Sequence, residues 1–125
     1  MKTIGIIGFG RFGKVLAQIL QKGFEVVIYD PIPQQQFESV TFNSLENVLK
    51  VETIFLCVPI RNLKNIVQDI STKLNPNSTV IDVCSVKIYP KEIMENYLPQ
   101  NIGYIATHPM FGPDSFQTNK NNRSV

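Results

Sequence analysis

Three glycines near the N-terminus, Gly8, Gly10 and Gly13, have the spacing G-x-G-x-x-G that suits an anionic ligand. The apolar residues Thr3–Ile7 before them predict a strand, and a helical pattern follows at once. Strand, glycine turn and helix N-terminus together can bind the pyrophosphate of a dinucleotide. Gly8 would permit the tight turn, Gly10 would let the backbone approach the phosphates, and Gly13 would let helix and strand pack closely. The alternative is a glycine-rich turn that binds nothing.

An acidic residue, Asp30, follows the second predicted strand, Glu25–Tyr29, about 20 residues after the glycine turn. Its carboxylate can accept hydrogen bonds from the hydroxyls of an adenosine ribose, and it would repel a 2′-phosphate. Residues 31–36 contain no Arg or Lys to hold that phosphate. The sequence therefore favours NAD over NADP as the cofactor. The alternative for Asp30 is a turn residue at a strand end.

Four further side chains have chemistry that suits a dehydrogenase. His108, the only histidine, can take a proton from a hydroxyl during hydride transfer. Ser85 can hydrogen-bond the same substrate hydroxyl or orient His108, and Lys87 can meet a substrate carboxylate. Arg11, within the glycine turn, can reach a phosphate oxygen. Each has a structural alternative: His108 as a structural histidine at a strand end, Ser85 as a turn or cap serine, and Lys87 and Arg11 as solvent-exposed side chains.

Alternating strand and helix patterns would position these residues. After the first two strands, apolar runs predict four more, at Ser39–Phe42, Thr53–Val58, Thr79–Val83 and Gly103–Thr107. Helical spacing predicts a helix that includes Phe12 and ends at a cap at Gly23, and a brief helix at Leu45–Lys50 that Ser44 can cap. It also predicts a helix at Ile60–Leu74 and one starting at Pro90. The fold class is α/β, a doubly wound parallel sheet of six strands in the order 3-2-1-4-5-6.

In such a sheet, ligands bind beyond the carboxyl ends of the strands. This rule predicts the cofactor contacts from the glycine turn, the end of the second strand and the end of the fourth. The predicted set is Gly8, Phe9, Gly10, Arg11, Phe12, Gly13, Asp30, Cys57, Val58 and Pro59. Ser85 and His108 follow the fifth and sixth strands, where nicotinamide and substrate would lie.

Length and composition exclude several other classes of protein. The chain has 125 residues, which suits one domain, and a net charge of +2 with scattered basic residues does not indicate nucleic-acid binding. The two cysteines, Cys57 and Cys84, show no metal-ligand spacing, and we expect reduced thiols in a cytoplasmic protein. No apolar run approaches the length that spans a membrane, so we expect no membrane partner. The N-terminus leads straight into the first predicted strand, so we expect no signal peptide.

Four segments together resemble the prephenate/arogenate dehydrogenase family, and most closely its arogenate-using branch. They are G-F-G-R-F-G (8–13), L-C-V-P (56–59), D-V-C-S-V-K (82–87) and T-H-P-M-F-G-P-D-S (107–115). The resemblance implies oxidative decarboxylation of a cyclohexadienyl substrate, arogenate or prephenate, in tyrosine biosynthesis. It also implies that His108 hydrogen-bonds the ring hydroxyl and helps to remove its proton, with Ser85 supporting that contact.

The resemblance also implies a helical domain that grips the substrate carboxylates and forms the dimer, which this sequence does not contain. We therefore expect a dinucleotide-binding domain at 1–114, a polar tail at 115–125, and little or no catalysis by this chain alone. Two alternatives stay open. One is a stand-alone NAD-binding or regulatory module, and the other is a related reductase of the hydroxyacid or imine type.

Overall fold

The computed structural model describes residues 1–83 and 88–106, in which six strands form one parallel sheet. Their order is β3-β2-β1-β4-β5-β6, which confirms the predicted doubly wound fold. In the centre of the sheet, Ile6 pairs with Ile28 on one side and with Phe55 on the other. The strands are β1 (Thr3–Ile7), β2 (Glu25–Tyr29), β3 (Thr41–Phe42), β4 (Thr53–Leu56), β5 (Thr79–Asp82) and β6 (Gly103–Ala106).

Four helices connect these strands and cover both faces of the sheet. They are α1 (Arg11–Leu20), α2 (Leu45–Val48), α3 (Ile60–Ile70) and α4 (Ile88–Tyr97). No helix within the described residues is long and apolar enough to cross a membrane.

Alternation along the strands separates the buried residues into two cores. On one face, Ile6 and Ile28 pack with Ala17 of α1. On the other face, Ile7, Ile54 and Leu56 lie in a larger core, which also contains residues of α2, α3 and α4. Gly5 faces α2, and a methyl group built there would lie 3.1 Å from Val48 Cγ1. The absence of a side chain at Gly5 therefore lets α2 lie close to the central strand.

Several predicted boundaries differ from those in the structure. The third strand begins at Thr41 rather than Ser39, because a turn at Glu38, with φ of 48°, comes just before it. The first helix is capped by Gln21 and not by Gly23, whose N–H donates to the Leu20 carbonyl at 3.1 Å.

The other predicted elements are shorter in the structure. Helix α2 ends at Val48, strand β4 at Leu56, helix α3 at Ile70 and strand β5 at Asp82. Pro90 lies in the first turn of α4 rather than at its first position, which still costs no internal hydrogen bond because N–H groups of the first turn have no helical partner. Thr107, predicted to end the sixth strand, and the predicted tail at 115–125 lie outside the described residues.

Candidate functional site

The glycine turn is held between the strands on either side of β1. Gly8 has φ of 105°, a left-handed conformation that favours glycine, and a methyl group there would clash with the carbonyl oxygen of Cys57. The Gly8 N–H donates to the Tyr29 carbonyl at 2.8 Å, and the Cys57 N–H donates to the Ile7 carbonyl at the same distance. The end of β1 is therefore tied to the ends of both β2 and β4.

The other two glycines face different surroundings. A methyl group at Gly13 would clash with the carbonyl oxygen of Gly8, so close packing of α1 on the turn requires glycine. A methyl group at Gly10 would meet no atom within 4 Å. Gly10 is the N-cap of α1, and its φ of −80° and ψ of −160° are open to any residue. Nothing inside the fold requires glycine at this position, so its open side suits the close approach of a ligand.

Phe9 anchors the turn through its side chain. Its ring is 4% exposed and meets Phe37 and Phe42 edge to face, with centroids 5.2 and 5.0 Å away. These rings belong to the core on the α1 face of the sheet. A ligand in the turn would therefore meet the backbone of Phe9 rather than the face of its ring.

Asp30 is half-buried and accepts two hydrogen bonds from backbone N–H groups. Its Oδ2 accepts from Phe9 N at 2.7 Å, and its Oδ1 accepts from Ile32 N at 2.8 Å. The carboxylate therefore bridges the glycine turn and the loop after β2. An ionised carboxylate has about four acceptor sites, so it can still accept from a ligand.

These residues open into one cavity of about 810 Å³ at the carboxyl ends of β1, β2 and β4. Nine of the ten predicted cofactor residues line it, and Gly13 lies buried behind the turn. Four residues at the start of α3 also line it and were missed by the sequence analysis: Arg61, Asn62, Asn65 and Ile66. The signal for them was available, because a helix that follows β4 must begin at the edge where ligands bind.

The charged groups of the cavity are two cations and one carboxylate. Arg11 and Arg61 are exposed, one at the start of α1 and the other at the start of α3, and Asp30 lies on the wall between β2 and its loop. The cavity therefore has cations that suit an anionic ligand and an acid that suits a hydroxyl-bearing one.

Glu38 does not line this cavity. Hydrogen bonds from Gln18 and Gln21 hold the pKa of its carboxyl below its usual value.

The predicted catalytic residues Ser85 and His108 and the predicted substrate residue Lys87 lie outside the described residues. Val83, two positions before Ser85, lines the cavity. Strand β6 is parallel to β5, so its carboxyl end lies at the same edge of the sheet. Within residues 1–83 and 88–106, no group of three or more His, Cys, Asp or Glu side chains could hold a metal ion.

A sequence model described as the nucleotide-binding domain of prephenate dehydrogenase matches residues 21–122. The chain belongs to the prephenate dehydrogenase family. It is 34% identical over 127 residues to arogenate dehydrogenase 1, chloroplastic, of Arabidopsis thaliana, covering 95% of this chain and 20% of that protein. The family resemblance predicted from the motifs is thereby confirmed.

Two solved structures of this family share the fold. Synechocystis arogenate dehydrogenase is 26% identical with a TM-score of 0.73, over 86% of this chain and 40% of that one. Prephenate dehydrogenase from A. aeolicus, in complex with hydroxyphenyl propionate and NAD+, is 24% identical with a TM-score of 0.73, over 90% of this chain and 43% of that one. The chain thus spans about a fifth of the length of its plant relative and under half of the length of these two proteins.

Proposed function

We propose that this chain binds NAD at the glycine turn, in preference to NADP, as part of an enzyme that oxidatively decarboxylates arogenate or prephenate. The observation that carries the proposal is the open approach to Gly10, inside a cavity that Asp30 borders. Membership of the family supports the same function.

The cavity suits the adenosine and pyrophosphate parts of a dinucleotide. Its volume of about 810 Å³ lies within the usual range for cofactor and ligand sites, about 300–1,000 Å³. Arg11 and Arg61 would offset the charge of the pyrophosphate, which NAD and NADP share. Asp30 would accept from the ribose hydroxyls of NAD and repel the 2′-phosphate of NADP. The structure therefore offers a physical reason for the predicted preference.

Bound NAD would supply the acceptor for the hydride that leaves the hydroxyl-bearing carbon of the substrate, and loss of CO₂ would leave an aromatic ring. We assign His108 to the removal of the hydroxyl proton, with Ser85 hydrogen-bonded to the same oxygen and Lys87 near a substrate carboxylate. Their positions in the chain, after β5 and β6, support this assignment, because both strands end at the edge of the sheet on which the cavity lies. The proposed partner of the chain is a small-molecule substrate, and the proposed reaction involves neither a nucleic acid nor a membrane.

The second candidate is a module that binds NAD without chemistry. It is favoured by the position of the cavity, because the described residues that line it come from the part of the chain up to Val83. Membership of the family favours a dehydrogenase over the hydroxyacid- or imine-type reductase. The cytoplasmic location and the placing of the dimer contacts in a further domain stay predictions, and the Arabidopsis relative is named chloroplastic.

Calorimetric titration of the 125-residue chain with NAD, and separately with NADP, tests the binding. We expect saturable binding of NAD and weaker binding of NADP. Equal affinity would contradict the role of Asp30, and no binding of either nucleotide would contradict the proposed function.

Turnover is tested by joining this chain to the helical domain of a relative and comparing it with His108→Asn. We expect the variant to lose turnover of arogenate or prephenate while its affinity for NAD stays unchanged. Full turnover by the variant would show that His108 is not the proton acceptor. A joined protein that binds NAD but oxidises neither substrate would favour the binding module.

A further inference from the structure

Asp30 accepts two backbone hydrogen bonds that it would not need if its only role were to bind the ribose hydroxyls of a nucleotide. Its Oδ2 accepts from the N–H of Phe9, which is the second residue of the glycine turn, at 2.7 Å. Its Oδ1 accepts from the N–H of Ile32 in the following loop at 2.8 Å. Hydrogen bonds to an ionised carboxylate are stronger than those between neutral groups. Both oxygens thus hold the protein's own backbone before any ligand arrives.

Phe9, which donates the first of these hydrogen bonds, is also held by its side chain. The Phe9 ring is buried between Phe37 and Phe42, and the neighbouring Gly8 N–H donates to the Tyr29 carbonyl. Gly10 lines the cavity, a methyl group built there would meet no atom within 4 Å, and it comes directly after Phe9 in the chain. The carboxylate therefore orients the Gly8–Phe9 peptide group, to which this N–H belongs, and the aromatic cluster fixes the Phe9 side chain.

We propose that Asp30 is a positioning residue for the pyrophosphate part of the site as well as a ligand of the ribose. This inference rests on the proposed function, and it deepens it. Asp30 holds the glycine turn in the shape that receives the phosphates, through its hydrogen bond to the Phe9 N–H. It therefore contributes to the binding of nucleotides that have no ribose hydroxyl to offer.

Two simpler roles give different expectations. If Asp30 only binds ribose hydroxyls, its removal leaves the affinity for a nucleotide without those hydroxyls unchanged. If it acts on such a nucleotide only through its charge, its removal raises the affinity, because a negative charge near the phosphates is lost. The positioning role alone predicts that the affinity falls.

The experiment is a calorimetric titration with ADP and with 2′,3′-dideoxy-ADP. The proteins are the unaltered chain, Asp30→Ala, Asp30→Asn and the control Glu25→Ala. Glu25 lies at the other end of β2, where its carboxylate accepts a hydrogen bond from the Thr3 hydroxyl at 3.1 Å. It is not among the residues that line the cavity, so the control removes the same charge at the opposite end of the strand that Asp30 follows.

We expect Asp30→Ala to bind 2′,3′-dideoxy-ADP about tenfold more weakly than the unaltered chain, as loss of one charge-assisted hydrogen bond would produce. Asp30→Asn, which keeps one acceptor oxygen, should fall between the two, and Glu25→Ala should bind normally. In parallel, the Phe9 amide should exchange its hydrogen faster in Asp30→Ala than in Glu25→Ala. Asp30→Asn tests the inference by the same comparison if the alanine variant does not fold.

Unchanged or higher affinity of both Asp30 variants for 2′,3′-dideoxy-ADP, with weaker ADP binding, would overturn the positioning role and leave NAD binding intact. Failure of the unaltered chain to bind either nucleotide would overturn the proposed function together with this inference. The two failures are thus told apart by the unaltered chain.

Discussion

At the scale of single residues, the three glycines of the turn differ in what a side chain would meet. At Gly8 and Gly13 a methyl group would strike a backbone carbonyl oxygen, whereas at Gly10 it would point into open space. Two of the glycines are thus explained by the fold of the protein alone. The fold does not require glycine at the third position, and the proposed approach of a nucleotide would explain it.

This difference predicts opposite behaviour for two matched variants. Gly10→Ala should leave the free energy of unfolding unchanged or raise it by up to about 1 kcal/mol, because alanine restricts the unfolded chain. Its affinity for NAD should fall about tenfold or more, because the methyl group occupies the approach of the phosphates. Gly13→Ala should lower the free energy of unfolding by about 1–3 kcal/mol through overpacking. Urea titration and calorimetry measure both quantities, and normal NAD binding by Gly10→Ala would contradict the assignment of Gly10.

A second residue-scale prediction concerns the preference for NAD. Replacing Asp30 by Ser and Ile32 by Arg should shift the ratio of affinities toward NADP, because the acid is lost and a cation is gained. Both absolute affinities should stay below that of the unaltered chain for NAD, since the bridge between the Phe9 and Ile32 N–H groups is lost as well. Titrations with both cofactors, with Glu25→Ala as the control, test this result. A variant that binds NADP as tightly as the parent binds NAD would contradict it.

Sequence spacing predicts Asp30 as a cavity residue but not its hydrogen bonds. Asp30 directly follows β2, and the apolar strand pattern followed by a loop pattern is enough to predict that position from the sequence. Its contact with Phe9 N depends on the conformation of a turn that belongs to another strand, and single-chain spacing contains no such information. The burial of Phe9 likewise depends on Phe37 and Phe42, which approach it only after the sheet has formed.

At the scale of secondary-structure elements, α3 belongs to the site as well as to the core. Its Leu63, Val67 and Ile70 are fully buried, while Arg61 and Asn65 line the cavity. One helix thus joins the site to the larger core. The sequence predicted this helix from its apolar spacing, although it ends at Ile70 and not at Leu74, and it gave the polar residues of the helix no role.

Arg61 should attract the anionic dinucleotide from the start of α3. Arg61→Ala should lower the affinity for NAD by about three- to tenfold at low salt, with a smaller effect at high salt because of screening. Arg61→Lys should retain most of the affinity, since it keeps the charge. Lys64→Ala is the matched control: its Nζ lies 5.6 Å from the centroid of the Tyr97 ring, and Lys64 is not among the lining residues. Equal affinities of the Arg61→Ala and Lys64→Ala variants would contradict this role.

The short helix α2 depends on its cap. The Ser44 hydroxyl accepts from the N–H of Asn47 at 3.3 Å, as the sequence predicted for a cap at this position. Ser44→Ala should lower the free energy of unfolding by about 1 kcal/mol. Ser71→Ala, at the end of α3, should change it by less than about 0.5 kcal/mol. Urea titration compares the two, and equal effects would show that the cap does not stabilise α2.

At the scale of the whole molecule, stability comes from apolar burial on both faces of the sheet. Leu63 is fully buried in the larger core, while the ion pair between Lys73 and Asp69, at 3.3 Å, lies on the surface. Leu63→Ala should lower the free energy of unfolding by about 2–5 kcal/mol. Lys73→Ala should change it by less than about 0.5 kcal/mol, because exposed ion pairs contribute little. Chemical denaturation tests both, and a large effect of Lys73→Ala would contradict this view.

The strand order was predicted from the alternation of apolar runs and helical patterns, because parallel strands need right-handed crossovers and few arrangements satisfy that rule. The ends of the elements were less predictable. Strand β3 consists of Thr41 and Phe42 only, because the backbone turns at Glu38 just before it, and no apolar period marks such a turn.

The order of the strands also bears on how the chain acquires its structure during synthesis. Of the described strands, β1 leaves the ribosome before the others and takes the centre. Strand β2 joins it and β3 joins β2, after which β4 joins the other side of β1, and β5 and β6 follow outward. After β1, every described strand therefore emerges later than a neighbour with which it can pair. The sheet can grow outward in the order of translation, and only the second edge of β1 waits, until β4 emerges, for its partner.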